Sequence, residues 1–91
     1  MTKIKTTVRI AGKDFAITSH DTEEHVQAVA AWVNRKMQEL HQATRLPAGQ
    51  LAVLTAINAT DDMMKSREEI RRLRQELETA KAEIERLKAH E

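Results

Sequence analysis

Apolar and polar residues alternate at the start of the chain. Ile4, Thr6, Val8 and Ile10 fall on one side of an extended segment, and Lys3, Lys5, Thr7 and Arg9 on the other. That two-residue period is the mark of a half-buried strand. Ala11-Gly12-Lys13-Asp14 follows, and Gly12 supplies a turn because glycine tolerates positive φ. Phe15 and Ile17 then alternate with Asp14, Ala16 and Thr18. The pattern predicts a β-hairpin with one apolar face. An isolated hairpin is marginal in water, so that face needs cover.

The period then lengthens. Val26, Val29, Ala30, Val33, Met37 and Leu40 recur at three- and four-residue steps, one stripe of a helix ending near Thr44. Asp21 followed by Glu24 reads as a capping box, and Glu23 and Glu24 put negative charge in the first turn. Trp32 lies at the edge of the stripe, where a half-buried ring at a packing seam is expected. Arg45-Leu46-Pro47-Ala48-Gly49 interrupts the pattern, and Pro47 suits the first turn of a second helix. Nothing breaks that helix before Lys88. Some forty residues make a rod of about 60 Å, roughly twice the width of a globule of this size. Its later part is expected to project, and a projecting apolar stripe needs a partner.

The second helix has two halves. Leu51, Ala52, Val53, Leu54, Ala56, Ile57, Ala59, Met63 and Met64 leave it apolar around much of its circumference. It can meet its own head on one side and a second subunit on the other. Asn58 is the polar member, expected to hydrogen-bond to neighbouring backbone or to that subunit. Beyond it a heptad repeat sets in. Met63, Ile70, Leu77 and Ile84 take position a, and Ser66, Leu73, Ala80 and Leu87 take position d. The expected oligomer interface therefore comprises Leu54, Ile57, Asn58, Met63, Ile70, Leu73, Leu77, Ile84 and Leu87. The expected fold class is α+β: a hairpin packed on a helix, then a long helix forming a parallel coiled coil. The head with the start of the long helix spans residues 1–62 and the stem 63–91.

Flanking charges select the orientation. Position g holds Glu69, Glu76 and Glu83, and position e holds Arg74, Lys81 and Lys88. In a parallel dimer, g of one chain meets e of the other, five residues on. Glu69 then faces Arg74, Glu76 faces Lys81 and Glu83 faces Lys88. An antiparallel pair would set like against like. Exposed pairs contribute a few tenths to about 1 kcal/mol each, so their value lies in discriminating orientations.

Composition narrows the function. Fifteen Lys/Arg stand against fourteen Asp/Glu, and a net charge of +1 argues for neither nucleic acid nor an anionic membrane. Cysteine is absent, so disulfides and thiolate metal sites are excluded. No apolar run approaches a membrane span, and Met1 to Ile10 lacks the apolar core of a signal peptide. A cytoplasmic protein is expected. His20, His25, His41 and His90 have no metal-ligand spacing. Asp61-Asp62 is expected to be a solvated edge paired with Lys65, one turn on. No phosphate loop, nucleophile motif or catalytic constellation is present, so no enzyme, cofactor or metal is expected. Arg67, Arg71, Arg72 and Arg74 cluster, but Glu68 and Glu69 interrupt them. A dimeric nucleic-acid-binding regulator is thus a weaker alternative, as is a generic coiled-coil assembly factor.

Three segments together carry a resemblance. Leu51-Ala52-Val53-Leu54-Thr55-Ala56-Ile57-Asn58-Ala59 is similar to the hallmark segment of the cell-division protein ZapA family. Val8-Arg9-Ile10-Ala11-Gly12-Lys13-Asp14-Phe15-Ala16-Ile17 resembles that family's opening hairpin, and Lys36-Met37-Gln38-Glu39-Leu40 the end of its first helix. The resemblance spans residues 6–65. It implies an adaptor that binds the bacterial tubulin-like protein FtsZ, bundles its filaments and stabilises the division ring at midcell. It also implies a homodimer, or a tetramer formed as a dimer of dimers, with heads that contact the filaments. By position, Lys13 resembles a basic residue after the turn glycine and Arg45 one at the end of the first helix. Arg9 joins them as a contact candidate from the basic face of the hairpin. Asn58 matches the asparagine of the hallmark segment, which the resemblance puts in the oligomer interface.

Overall fold

The computed structural model describes residues 2–90. Four elements follow in order: β1 (Ile4–Ile10), β2 (Lys13–Ser19), α1 (Glu23–Thr44) and α2 (Ala48–Ala89). Contacts divide the chain into two units, Met1–Ile57 and Asn58–Glu91, and α2 contributes to both.

In the first unit, β1 and β2 form an antiparallel hairpin whose closing pair is Ile10 opposite Lys13. A two-residue loop remains. Such loops favour positive φ at both central residues, because that twist matches the strands. Ala11 (φ 52°) and Gly12 (φ 79°) comply. Glycine adopts this conformation freely. Alanine does so at a cost of about 1 kcal/mol, so the loop's shape is imposed by the strand register as well as by Gly12.

Helix α1 packs on β1. Val8, Val26 and Ala30 form the buried centre, with Ile10 and Ile17 packed against it. The α1 stripe delivers Val26, Ala30 and Met37 to the interior, while Val29 remains about half exposed, at 49%. Trp32 is half-buried, as its position at the edge of the stripe predicts. Lys36 Nζ sits 5.8 Å from the centroid of its ring.

The start of α1 corrects one expectation. Thr22, not Asp21, is the N-cap: its hydroxyl accepts from the His25 N–H at 3.1 Å. Both residue types cap well, and the chain sets Thr22 in extended geometry (φ −68°, ψ 155°) at the boundary. Glu23 and Glu24 still place charge in the first turn.

The end of α1 is tightly tied. Arg45 adopts left-handed geometry (φ 58°, ψ 23°), and its N–H donates to His41 O at 2.8 Å. Thr44 Oγ1 donates to Leu40 O at 2.7 Å, and Leu46 N–H donates to Thr44 Oγ1 at 3.3 Å. Pro47 stands just before α2, where its carbonyl accepts from the Leu51 N–H at 3.0 Å. The first turn of α2 carries no acidic residue. Leu51 and Thr55, one turn apart, are the buried residues of α2.

One buried group is unsatisfied. Thr6 is 1% exposed, and its hydroxyl has no hydrogen-bond partner among the described residues. Burying an unpaired hydroxyl costs about 1–3 kcal/mol. Thr6→Val keeps the shape and removes the group. The variant is expected to melt several degrees higher, at roughly 4–8 °C per kcal/mol in a domain of this size. A fall in melting temperature by differential scanning calorimetry would mean the hydroxyl is satisfied.

The second unit is the remainder of α2. Its surface is laced with pairs one turn apart: Asp61 with Lys65 at 2.8 Å, Glu68 with Arg71, Glu69 with Arg72, Arg72 with Glu76 at 2.7 Å, and Glu83 with Arg86. Such pairs support an exposed helix.

Candidate functional site

Two groups of residues are candidates: the charged tips of the first unit and the apolar seam of the second.

The hairpin tip is held by α1. Asn34 accepts from the Ala11 N–H at 3.0 Å and donates to Arg9 O at 2.7 Å. Two turns earlier, Gln27 donates to Thr7 O at 3.0 Å. Both side chains thus satisfy the outer edge of β1, which no strand pairs among the described residues. Asn34 in particular fixes the loop that precedes Lys13. Sequence reasoning missed both residues; their i, i+7 spacing on α1 is the available signal.

Lys13 is the first residue of β2 and is exposed, with no ion-pair partner among the described residues. Arg45, at the αL end of α1, is likewise exposed and unpaired in that sense. Arg45 lies eleven residues beyond Asn34, about 16 Å along the helix axis. Arg9 differs from both. Its Nη1 lies 3.1 Å from Asp14 Oδ1 across the hairpin, so its charge is already matched.

In the second unit the apolar heptad positions lie open. Met63, Ile70, Leu73, Leu77, Ile84 and Leu87 are each 44–56% exposed. On a folded helix that row of large apolar side chains is left uncovered by the described residues. At the top of α2, Ile57 is exposed, whereas Leu54 and Asn58 are half-buried.

The charged flanks have an internal competition. Glu69 and Glu76 both reach Arg72, and Glu83 reaches Arg86. The hydrogen bond to Glu69, then its charge, holds the Arg72 guanidinium above its usual range; Glu68 does the same for Arg71. Asp61 raises Lys65 in the same way. Arg74, Lys81 and Lys88 have no ion-pair partner among the described residues, so the e-position cations are the ones left open. A concave patch beside Ile70, flanked by Arg67, Arg71 and Arg74, is open to solvent along one helix.

Among the described residues, no group of three or more His, Cys, Asp or Glu is arranged to hold a metal ion. No described helix is long and apolar enough to cross a membrane.

These features define a class: an α+β protein with a hairpin-and-helix first unit, whose long second helix exposes a heptad seam. The comparisons make it specific. The family described as cell division protein ZapA matches residues 6–90. The cell division protein ZapA of Bacillus licheniformis is 42% identical over 72 residues, covering 78% of this chain and 85% of that protein. That of Halalkalibacterium halodurans is also 42% identical over 72 residues, covering 78% and 79%. A solved structure, the ZapA mutant dimer from Geobacillus stearothermophilus, superposes with a TM-score of 0.71 at 37% identity, covering 86% of this chain and 92% of that one. The chain belongs to the ZapA family of cell division proteins.

Proposed function

We propose that the chain is a non-enzymatic adaptor that binds FtsZ through its hairpin-and-helix head, crosslinks the filaments and stabilises the division ring at midcell in the cytoplasm. The observation that carries this reading is family membership over residues 6–90, which takes in both the head and the seam. The working unit is a parallel homodimer. Two such dimers can associate further as a tetramer. Its a and d residues are Met63, Ile70, Leu73, Leu77, Ile84 and Leu87, and Leu54, Ile57 and Asn58 extend the interface upward. Glu69, Glu76 and Glu83 of one chain meet Arg74, Lys81 and Lys88 of the other, while Arg72 and Arg86 hold the same glutamates from their own chain. The seam needs a partner because its side chains are half exposed on a helix that is already folded.

Self-association supplies the mechanism of crosslinking. One head on one filament has only its own weak contacts. Two joined heads bind the second site at an effective concentration set by the stem. In the tetramer, where two dimers join through their stems, a helical stem fixes the separation of the two pairs of heads better than a flexible linker would. Lys13 and Arg45 are the lead contact residues because their charges are unmatched among the described residues, with Arg9 subordinate because Asp14 pairs with it.

The test is co-sedimentation with assembled FtsZ. The chain is expected to pellet with filaments and to raise light scattering, both declining as salt screens the contacts. Absence from the pellet at low salt would sink the reading. The nucleic-acid alternative loses force because Arg71 and Arg72, two of the four clustered arginines, are engaged by glutamates.

A further inference from the structure

The two edges of the hairpin are treated differently. Gln27 and Asn34 seal the outer edge of β1. In an antiparallel pair, opposite residues alternate between exchanging hydrogen bonds and turning them outward. Thr7 and Arg9 turn outward on β1, so their partners Ala16 and Asp14, and next Thr18, turn outward on β2. Among the described residues nothing bonds to those groups. The edge has no proline or bulge to stop it from pairing, and its charged residues, Lys13 and Asp14, are confined to one end. The apolar face fails on the same side. Val8 is 1% exposed, yet Phe15, directly across from it, is 48% exposed.

We propose that β2 pairs antiparallel with β2 of a second copy, joining two hairpins into one four-stranded sheet across a two-fold axis at Ala16. The strand's own residues argue for that occupant and that register. Pairing over the full length of Lys13–Ser19 sets Ala16 against the partner's Ala16. Asp14 then exchanges backbone bonds with the partner's Thr18, and no like charges meet. Phe15 falls beside the partner's Ile17, an aromatic against a β-branched residue on the apolar face, a favourable cross-strand pair. One surface serves both copies, as a two-fold interface requires. A parallel stem would also hold the two heads of a dimer at high effective concentration for one another. The inference rests on self-association and is independent of what the heads bind.

The chain has no cysteine, so one substitution reports the geometry. Ala16→Cys puts two thiols on residues about 5.5 Å apart at Cα, within disulfide range. Thr18→Cys, on the same strand and face, puts them roughly 14 Å apart. Under mild oxidation, or with a short bismaleimide, Ala16→Cys is expected to give at least about tenfold more covalent dimer than Thr18→Cys. In the unaltered protein, hydrogen exchange read by NMR is expected to show protected amides at Asp14, Ala16 and Thr18. Exchange at free-edge rates in a sample that light scattering shows to be dimeric would overturn the sheet alone. So would protected amides without preferential cross-linking at position 16, since something else would then cover the edge. A monomer at that concentration would overturn self-association itself, and the sheet with it.

Discussion

Replacing Leu77 with lysine is expected to weaken self-association by about a thousandfold. Leu77 is 54% exposed in the single chain and occupies an a position in the middle of the seam. Pairing removes the remaining apolar surface from water. Both copies change at once, because the interface is two-fold. Two half-buried leucines are worth about 3 kcal/mol together at the usual area coefficient. Two lysines facing each other across the seam add at least about 1 kcal/mol of repulsion and desolvation. The sum of about 4 kcal/mol corresponds to three powers of ten in the dissociation constant. Arg72→Ala is the matched control. It removes ion pairs on the same helix but touches no a or d position, so its effect on association is expected to be small. Light scattering coupled to size exclusion, across a dilution series, measures both. If Leu77→Lys leaves the distribution unchanged, the heptad seam does not hold the chains together.

The features visible in the sequence were those written as a local period. The hairpin announced itself by alternation and by the turn at Gly12, whereas its register, Val8 opposite Phe15 around a two-residue loop, comes from the structure. The long helix announced itself by uninterrupted spacing from Ala48 to Ala89. What escaped depends on docking. Asn34 reads as a polar residue within an amphipathic helix, and only the placement of α1 on β1 shows that its amide serves the backbone of Arg9 and Ala11. Ala11 escaped for a related reason. Alanine carries no preference for positive φ, so its conformation follows from the strands on either side. The cap was misread because Asp21 and Thr22 are both good caps, and a one-residue difference has no periodic signature.

The electrostatic pattern was legible only in part. Heptad register nominates Glu69, Glu76 and Glu83 for a second chain. It does not reveal that Arg72 and Arg86, three or four residues away on the same helix, reach the same carboxylates. The two sets are compatible, because a carboxylate accepts from more than one donor. Competition would lower what each proposed interchain pair adds. On the parallel reading, the stem's orientation rests on a modest electrostatic preference laid over an apolar seam.

Reversing the head charges is expected to abolish filament bundling while leaving the oligomer intact. Lys13→Glu with Arg45→Glu changes two exposed cations, without ion-pair partners among the described residues, to anions. About 1 kcal/mol per contact, for charges at an interface rim, lowers the affinity of one head roughly thirtyfold. Bundling requires both heads, so the penalty enters twice and approaches a thousandfold in the bivalent state. Arg45 needs a further control because its geometry is unusual. It sits at φ 58°, where a side chain carries a conformational cost and glycine carries none. Arg45→Gly removes the charge and relieves the backbone together. It is expected to raise stability by up to about 1 kcal/mol and still to weaken co-sedimentation with FtsZ filaments. Arg45→Glu keeps the strain and is expected to weaken binding further. A purely structural Arg45 would keep that order but differ at glycine: the glycine variant would bind as the unaltered protein does, and the glutamate variant would fail only as far as it unfolds. Thermal melts run beside the sedimentation series separate the two cases, and full binding by Arg45→Gly would remove Arg45 from the contact surface.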